Sequence, residues 1–147
     1  MSCGSEIKSR VLKEIESLTD EALATSRYIH SHPELGGVEF LSSARLMDDL
    51  KRHGFAVEAG TGGMETAFKA TVEGRGDGPR LAFLAEYDAL GLLGHACGHN
   101  FIGTASTFAG IALASVMKDL PGTLMVFGTP AEENLGGKII MHENGTF

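Results

Sequence analysis

The stretch "RLAFLAEYDAL" (80–90) is apolar at almost every position up to Glu86, then places two acids, Glu86 and Asp88, within three residues. A continuous apolar run of this length predicts a strand buried on both faces. Reading outward, "GLLGHACGHN" (91–100) is a glycine-rich loop. It leads into "ASTFAGIALASVMKDL" (105–120), a helix pattern rich in small apolar residues that Pro121 and Gly122 break. "TLMVFGTPAEE" (123–133) then repeats the first theme, a buried strand ending in Glu132 and Glu133. Strand, loop, helix, strand is a βαβ arrangement and predicts two parallel neighbours. Ligands in such sheets bind beyond the carboxyl ends of the strands. All four acids fall there, with Cys97 and His99 on the loop between.

The flanks fit an α/β unit. Residues 5–18 place Ile7, Val11, Ile15 and Leu18 at helical spacing, and "TDEALATSRYIHSHPEL" (19–35) opens on Thr19 or Asp20 as a capping signal. Pro33 restricts His32 and predicts a helix end at His30 or Ser31. "VEFLSSARLMDDLKRHG" (38–54) predicts a third helix with Leu41, Ala44, Leu46, Met47 and Leu50 on its apolar side and Gly54 as its stop. "FAVEA" (55–59) and the alternating "TAFKATVEG" (66–74) predict two further strands, and "GGKIIMHENG" (136–145) a last helix. The expected fold class is α/β: a three-layer sandwich in which helices flank a mixed sheet.

Composition narrows the functions. The 147 residues, 43% hydrophobic and 21% charged, suffice for one domain with a core. A net charge of -7 without a run of Lys and Arg argues against nucleic acid as a partner. The polar start "MSCGSEIKSRVLKEIE" has no apolar signal region, and the apolar runs read as too short to span a membrane. Two cysteines, Cys3 and Cys97, do not make a disulfide framework, which points to a reducing, cytoplasmic setting.

Water is a poor nucleophile at neutral pH, whereas a bound Zn²⁺ lowers its pKa from about 15.7 to about 7. Cys97, His99 and one glutamate offer three donors for such an ion, leaving a position open. The second glutamate can take the proton from the water. Bland readings stand beside this one: a small buried thiol, a solvated pair of acids at a helix start, His30 and His32 as turn residues, and Met141 and His142 as ordinary helix positions. A thiol nucleophile, Cys97 paired with His95 or His99, is a further alternative, but it gives the paired glutamates no task.

Three ordered blocks, "RYIHSHPELGGVEF", "EYDALGLLGHACGHN" and "FGTPAEENLGGKIIM", cover residues 27–141. They resemble the aminoacylase-like dinuclear metallopeptidases, in the amidohydrolase branch of hippurate hydrolase and aminobenzoyl-glutamate hydrolase. The resemblance implies the phosphorylase/hydrolase-like zinc peptidase fold, two divalent ions, Zn or Mn, in the complete enzyme, and hydrolysis of a small-molecule amide: an N-acyl amino acid, aminobenzoyl-glutamate or a dipeptide. It implies Cys97, His99 and Glu133 as metal ligands, Glu132 as the catalytic base, and Asp88 as the acid that orients a metal-binding group. His95 matches a recurrent position that is not counted as a ligand. Asn100 stands where many of the branch carry Asp, and Gly91 where many carry Pro. Family members are considerably longer. Residues 1–147 therefore read as the N-terminal portion of a catalytic domain, incomplete without the lid or dimerisation domain and the later histidine ligands. A homodimer is a property of the full-length family, and the 147 residues alone are expected to be weak or inactive. The alternative is a non-catalytic metal-binding or interaction module descended from such an enzyme.

Overall fold

The computed structural model describes residues 3–147; the side chain of Cys3 lies outside the described part. Helices α1 (Cys3–Ser17), α2 (Thr19–Ser31) and α3 (Phe40–Arg52) precede strands β1 (Ala56–Ala59), β2 (Phe68–Glu73) and β3 (Arg80–Ala85). Helix α4 (His99–Met117), strand β4 (Thr123–Gly128), the single turn α5 (Glu132–Leu135) and α6 (Gly137–Glu143) follow. The strands form one mixed sheet in the order β1-β2-β4-β3. β3 and β4 are parallel, Arg80 facing Thr123 and Ala85 facing Gly128, while β1–β2 and β2–β4 are antiparallel. The mixed α/β class, the helices around the sheet and the parallel pair agree with the sequence.

The core lies between the sheet and the packed helices. Leu124 and Val126 of β4, Phe68 and Ala70 of β2 and Ala85 of β3 meet Phe108, Ile111 and Ala112 of α4 and Leu46 and Leu50 of α3. Small residues let α4 lie close. A Cβ on Gly110 would come within 2.5 Å of a Val126 methyl, and one on Gly103 within 2.5 Å of the Glu86 carbonyl oxygen. By length and composition alone α4 is long and apolar enough to cross a membrane, contrary to the reading of its run as too short. Half of its apolar window is buried within this fold, where it serves as the central core helix.

Three local expectations change. Thr19 does not cap α2: Leu18 stays in the right-handed helical region, so α1 runs almost directly into α2, and the Thr19 hydroxyl donates backwards to the Ile15 carbonyl. On α3, Leu46 and Leu50 are buried, but Leu41 is half exposed, and Ser42, Ser43 and Asp49 turn inward. Ser42 and Asp49 have partners there, whereas the Ser43 hydroxyl finds none among the described residues. The Glu34 carboxylate accepts the Leu41 and Ser42 N–H groups and the Ser42 hydroxyl, while Asp49 accepts the Thr25 hydroxyl and pairs with Arg45 and Arg52. Finally, β3 is an edge strand rather than an inner one, and Arg80, Leu81, Ala82 and Leu84 are exposed along it. An apolar run records what a strand can bury; it does not say that a neighbour lies on each side.

Candidate metal centre

β3 and β4 end side by side because they are parallel, and the groups that follow each strand meet beyond those ends. Gly98, in the left-handed region at φ 85°, turns the chain sharply between Cys97 and the first residue of α4, His99. Ala131 makes the corresponding turn after β4. It is the single non-glycine residue with positive φ among the described residues, at 59°, and it starts the short turn that carries Glu132 and Glu133.

Cys97, His99 and Glu133 each offer a ligand atom, and these atoms lie within 4.8 Å of one another. His99 is almost wholly buried. Its Nδ1 lies 2.9 Å from Asp88 Oδ1 and 3.1 Å from the Asp88 carbonyl oxygen, both acceptors, so Nδ1 carries a proton. Nε2, the other ring nitrogen, faces oxygens: Glu86 Oε2 at 3.2 Å, Glu133 Oε1 at 3.9 Å and Glu132 Oε2 at 4.0 Å. A lone pair aimed at carboxylates is repelled unless a proton or a cation sits among them. Either would answer that repulsion, and Cys97, His99 and Glu133 together are a group that could hold a metal ion.

Asp88 is fully buried and acts on two members of the cluster at once. One oxygen holds the His99 ring, and the other accepts the Glu133 backbone N–H at 2.9 Å. An acid that holds a metal-binding imidazole from behind fixes both its tautomer and its direction. Burial pushes the Cys97 thiol pKa up; the His99 backbone N–H opposes this, and the Glu133 carboxylate reinforces it. A nucleophilic cysteine needs the reverse shift. His95 gives that alternative no support, since its ring packs beside His30 with centroids 6.3 Å apart and its nitrogens find no hydrogen-bond partner among the described residues.

The residues named from the sequence therefore come together: Cys97, His99, Glu133 and Asp88 in direct contact or near it, and Glu132 at the rim with 41% of its side chain exposed. Two further groups join them. Glu86 lies against His99 Nε2 on one side and forms an ion pair with Lys138 on the other. In the sequence Glu86 is marked only as an acid at a strand end, and nothing marks Lys138, whose approach depends on α6 folding back toward β3. Asn100 does not enter the cluster; its amide donates to the Ser26 hydroxyl and fastens α4 to α2. Gly91 has open space around it, so no packing there requires glycine. His32 ends α2 and stacks on Tyr28.

No family model matches the chain. Curated relatives do. The chain is 37% identical to the Xaa-Arg dipeptidase of Mus musculus over 96% of its own length and 36% of the relative's. It is 34% identical to a component polypeptide of the p-aminobenzoyl-glutamate hydrolase of Escherichia coli K12, over 92% of this chain and 34% of that one. A solved dinuclear metal-binding peptidase of the M20 family from Bacillus subtilis superposes with a TM-score of 0.78 at 25% identity, covering 89% of this chain and 40% of that chain. The chain thus spans just over a third of the length of these curated relatives.

Proposed function

The chain belongs to the aminoacylase-like family of dinuclear metallopeptidases and amidohydrolases, and on that premise we propose that it forms the metal-binding part of a hydrolase that cleaves the amide bond of an N-acyl amino acid, aminobenzoyl-glutamate or a dipeptide. The observation that carries this reading is His99 Nε2, on a ring held at Nδ1 by Asp88, pointed at carboxylates with Cys97 beside them. Cys97, His99 and Glu133 would hold an ion, and Asp88 would hold His99 and Glu133 in place. Nitrogen and sulfur donors favour Zn over Mn. A divalent ion at this place supplies Lewis acidity toward the amide carbonyl and toward water.

The rest falls to the chain's own residues. Glu132 stands next to the donor set with its carboxylate partly open to solvent, so it can take a proton from the attacking water and return it to the leaving amine. Glu133, its neighbour, is tied to Asp88 through the backbone and directs its carboxylate to His99. The pair thus divides into one acid open at the rim and one whose backbone is held by Asp88. Three protein donors suit a single catalytic ion; a second ion needs further donors. The free Cys97 thiol in the donor set fits a reducing compartment such as the cytoplasm.

Titration with Zn²⁺ and Co²⁺ tests the assignment. Wild type and Glu132→Gln should bind equally, and Cys97→Ala with His99→Ala should not bind. In a turnover-competent form of the protein, Glu132→Gln should lower hydrolysis of N-acyl amino acids or aminobenzoyl-glutamate by about 10²–10⁴-fold. Equal metal uptake by the double variant would sink the site. Metal uptake with no turnover under any condition would favour the non-catalytic metal-binding module.

A further inference from the structure

We infer that Glu39, an acid outside the metal cluster, is a positioning residue for the turn that carries Glu132 and Glu133. This rests on the metal reading above. Glu39 is fully buried at the start of α3. One carboxylate oxygen accepts the backbone N–H of Ala131 at 2.7 Å, and the other accepts the Thr66 hydroxyl at 2.8 Å. Neither partner is a cation, so Glu39 is not the buried half of an ion pair. Its task is to accept hydrogen bonds.

Ala131 needs such an acceptor. It is fully buried and held in the left-handed region, which an alanine rarely adopts without outside support. Its N–H has no place in the sheet ladder, and a buried N–H without a partner destabilises the conformation that hides it. The Glu39 carboxylate therefore favours the strained turn over its alternatives. That turn is also what makes two consecutive glutamates useful. It directs Glu133 back to the Asp88 carboxylate and the donor set, and it leaves Glu132 at the rim. The support extends further: the Thr66 carbonyl accepts the hydroxyl of the buried Tyr87, the residue between Glu86 and Asp88. Glu39 thus links the end of β4, through Thr66 and Tyr87, to the segment after β3. The loop before it adds steric definition, because a Cβ at Gly36 would meet the Ala131 Cα at 2.8 Å.

Co²⁺ titration of the chain, read by the cobalt–thiolate absorption band, tests this. Glu39→Leu keeps most of the volume and loses the acceptor; it should weaken Co²⁺ binding about 10–100-fold, the usual cost of removing a group that orients ligands, and alter the cobalt ligand-field spectrum. Glu39→Gln keeps a carbonyl acceptor for Ala131 and should restore wild-type affinity and spectrum. Leu46→Ala, a core truncation that lowers stability away from the turn, should bind Co²⁺ as wild type does. Wild-type binding by Glu39→Leu, or an equal loss in Leu46→Ala, would overturn the inference. If Glu39→Leu does not fold, Thr66→Val decides, with weakened binding supporting the inference and unchanged binding overturning it. A wild-type chain that binds no Co²⁺ would overturn the metal reading itself, and this inference with it.

Discussion

At the scale of single residues, Cys97 gives the centre a defined dependence on pH. Burial first, and then Glu133, holds its proton more tightly than water would. An ion that binds the thiolate must displace that proton, so affinity should rise with pH through the thiol's raised range and fall toward acid. Competition titrations against a chelator between about pH 6 and about pH 9 should show this slope, with one proton released from the thiol per ion bound. In Cys97→Ser the affinity should drop and that part of the slope should vanish; an unchanged slope would mean the thiol is not a ligand. In the metal-free chain the sign differs. A folded thiol with a raised pKa leaves stability intact below the unfolded thiol's value, and stability is lost as pH rises through the folded one.

At the scale of elements, the seat of α4 decides where His99 stands. Gly103 lies one turn after His99 and faces the Glu86 carbonyl. In an isolated helix, Gly→Ala gains about 1 kcal/mol. Here the added Cβ would press on backbone at 2.5 Å, and such overpacking costs about 1–3 kcal/mol. The clash should win, because the atom it meets is a carbonyl oxygen at the end of β3 rather than a flexible side-chain tip. Gly103→Ala should lower the Tm, and it should also weaken metal binding, since α4 and the Glu86–Asp88 segment are forced apart. A raised Tm with unchanged metal affinity would show that the close approach of α4 is not needed.

At the scale of the whole molecule, β3 is an edge strand among the described residues and carries apolar side chains, Leu84 42% exposed among them. An apolar edge strand is a template for pairing with another chain. Sedimentation velocity should find concentration-dependent association of wild type that Leu84→Lys reduces. The Tm should change little, within about 0.5 kcal/mol of stability, because an exposed position carries little packing. Association unaffected by the lysine would place the contact elsewhere.

The sequence by itself determined the order of elements and the meeting of Cys97, His99, Glu132 and Glu133. Two apolar runs joined by a helix predict a parallel pair, and parallel neighbours end at the same edge. It also pointed to Asp88 by resemblance. It did not show that β3 lies at the edge of the sheet, because an apolar run has the same pattern at an edge as at the centre. Nor did it give the inward turn of Ser42 and Asp49, whose polar groups become acceptable inside only once Glu34, Thr25 and the arginines are in reach. The roles of Glu86, Lys138 and Glu39 belong to the tertiary structure alone. Each depends on a contact between segments far apart in the chain, 92 residues in the case of Glu39 and Ala131. Periodicity and local propensity describe what a residue favours among its neighbours in sequence, and they carry no record of the distant backbone N–H or ring nitrogen that the folded chain brings against it.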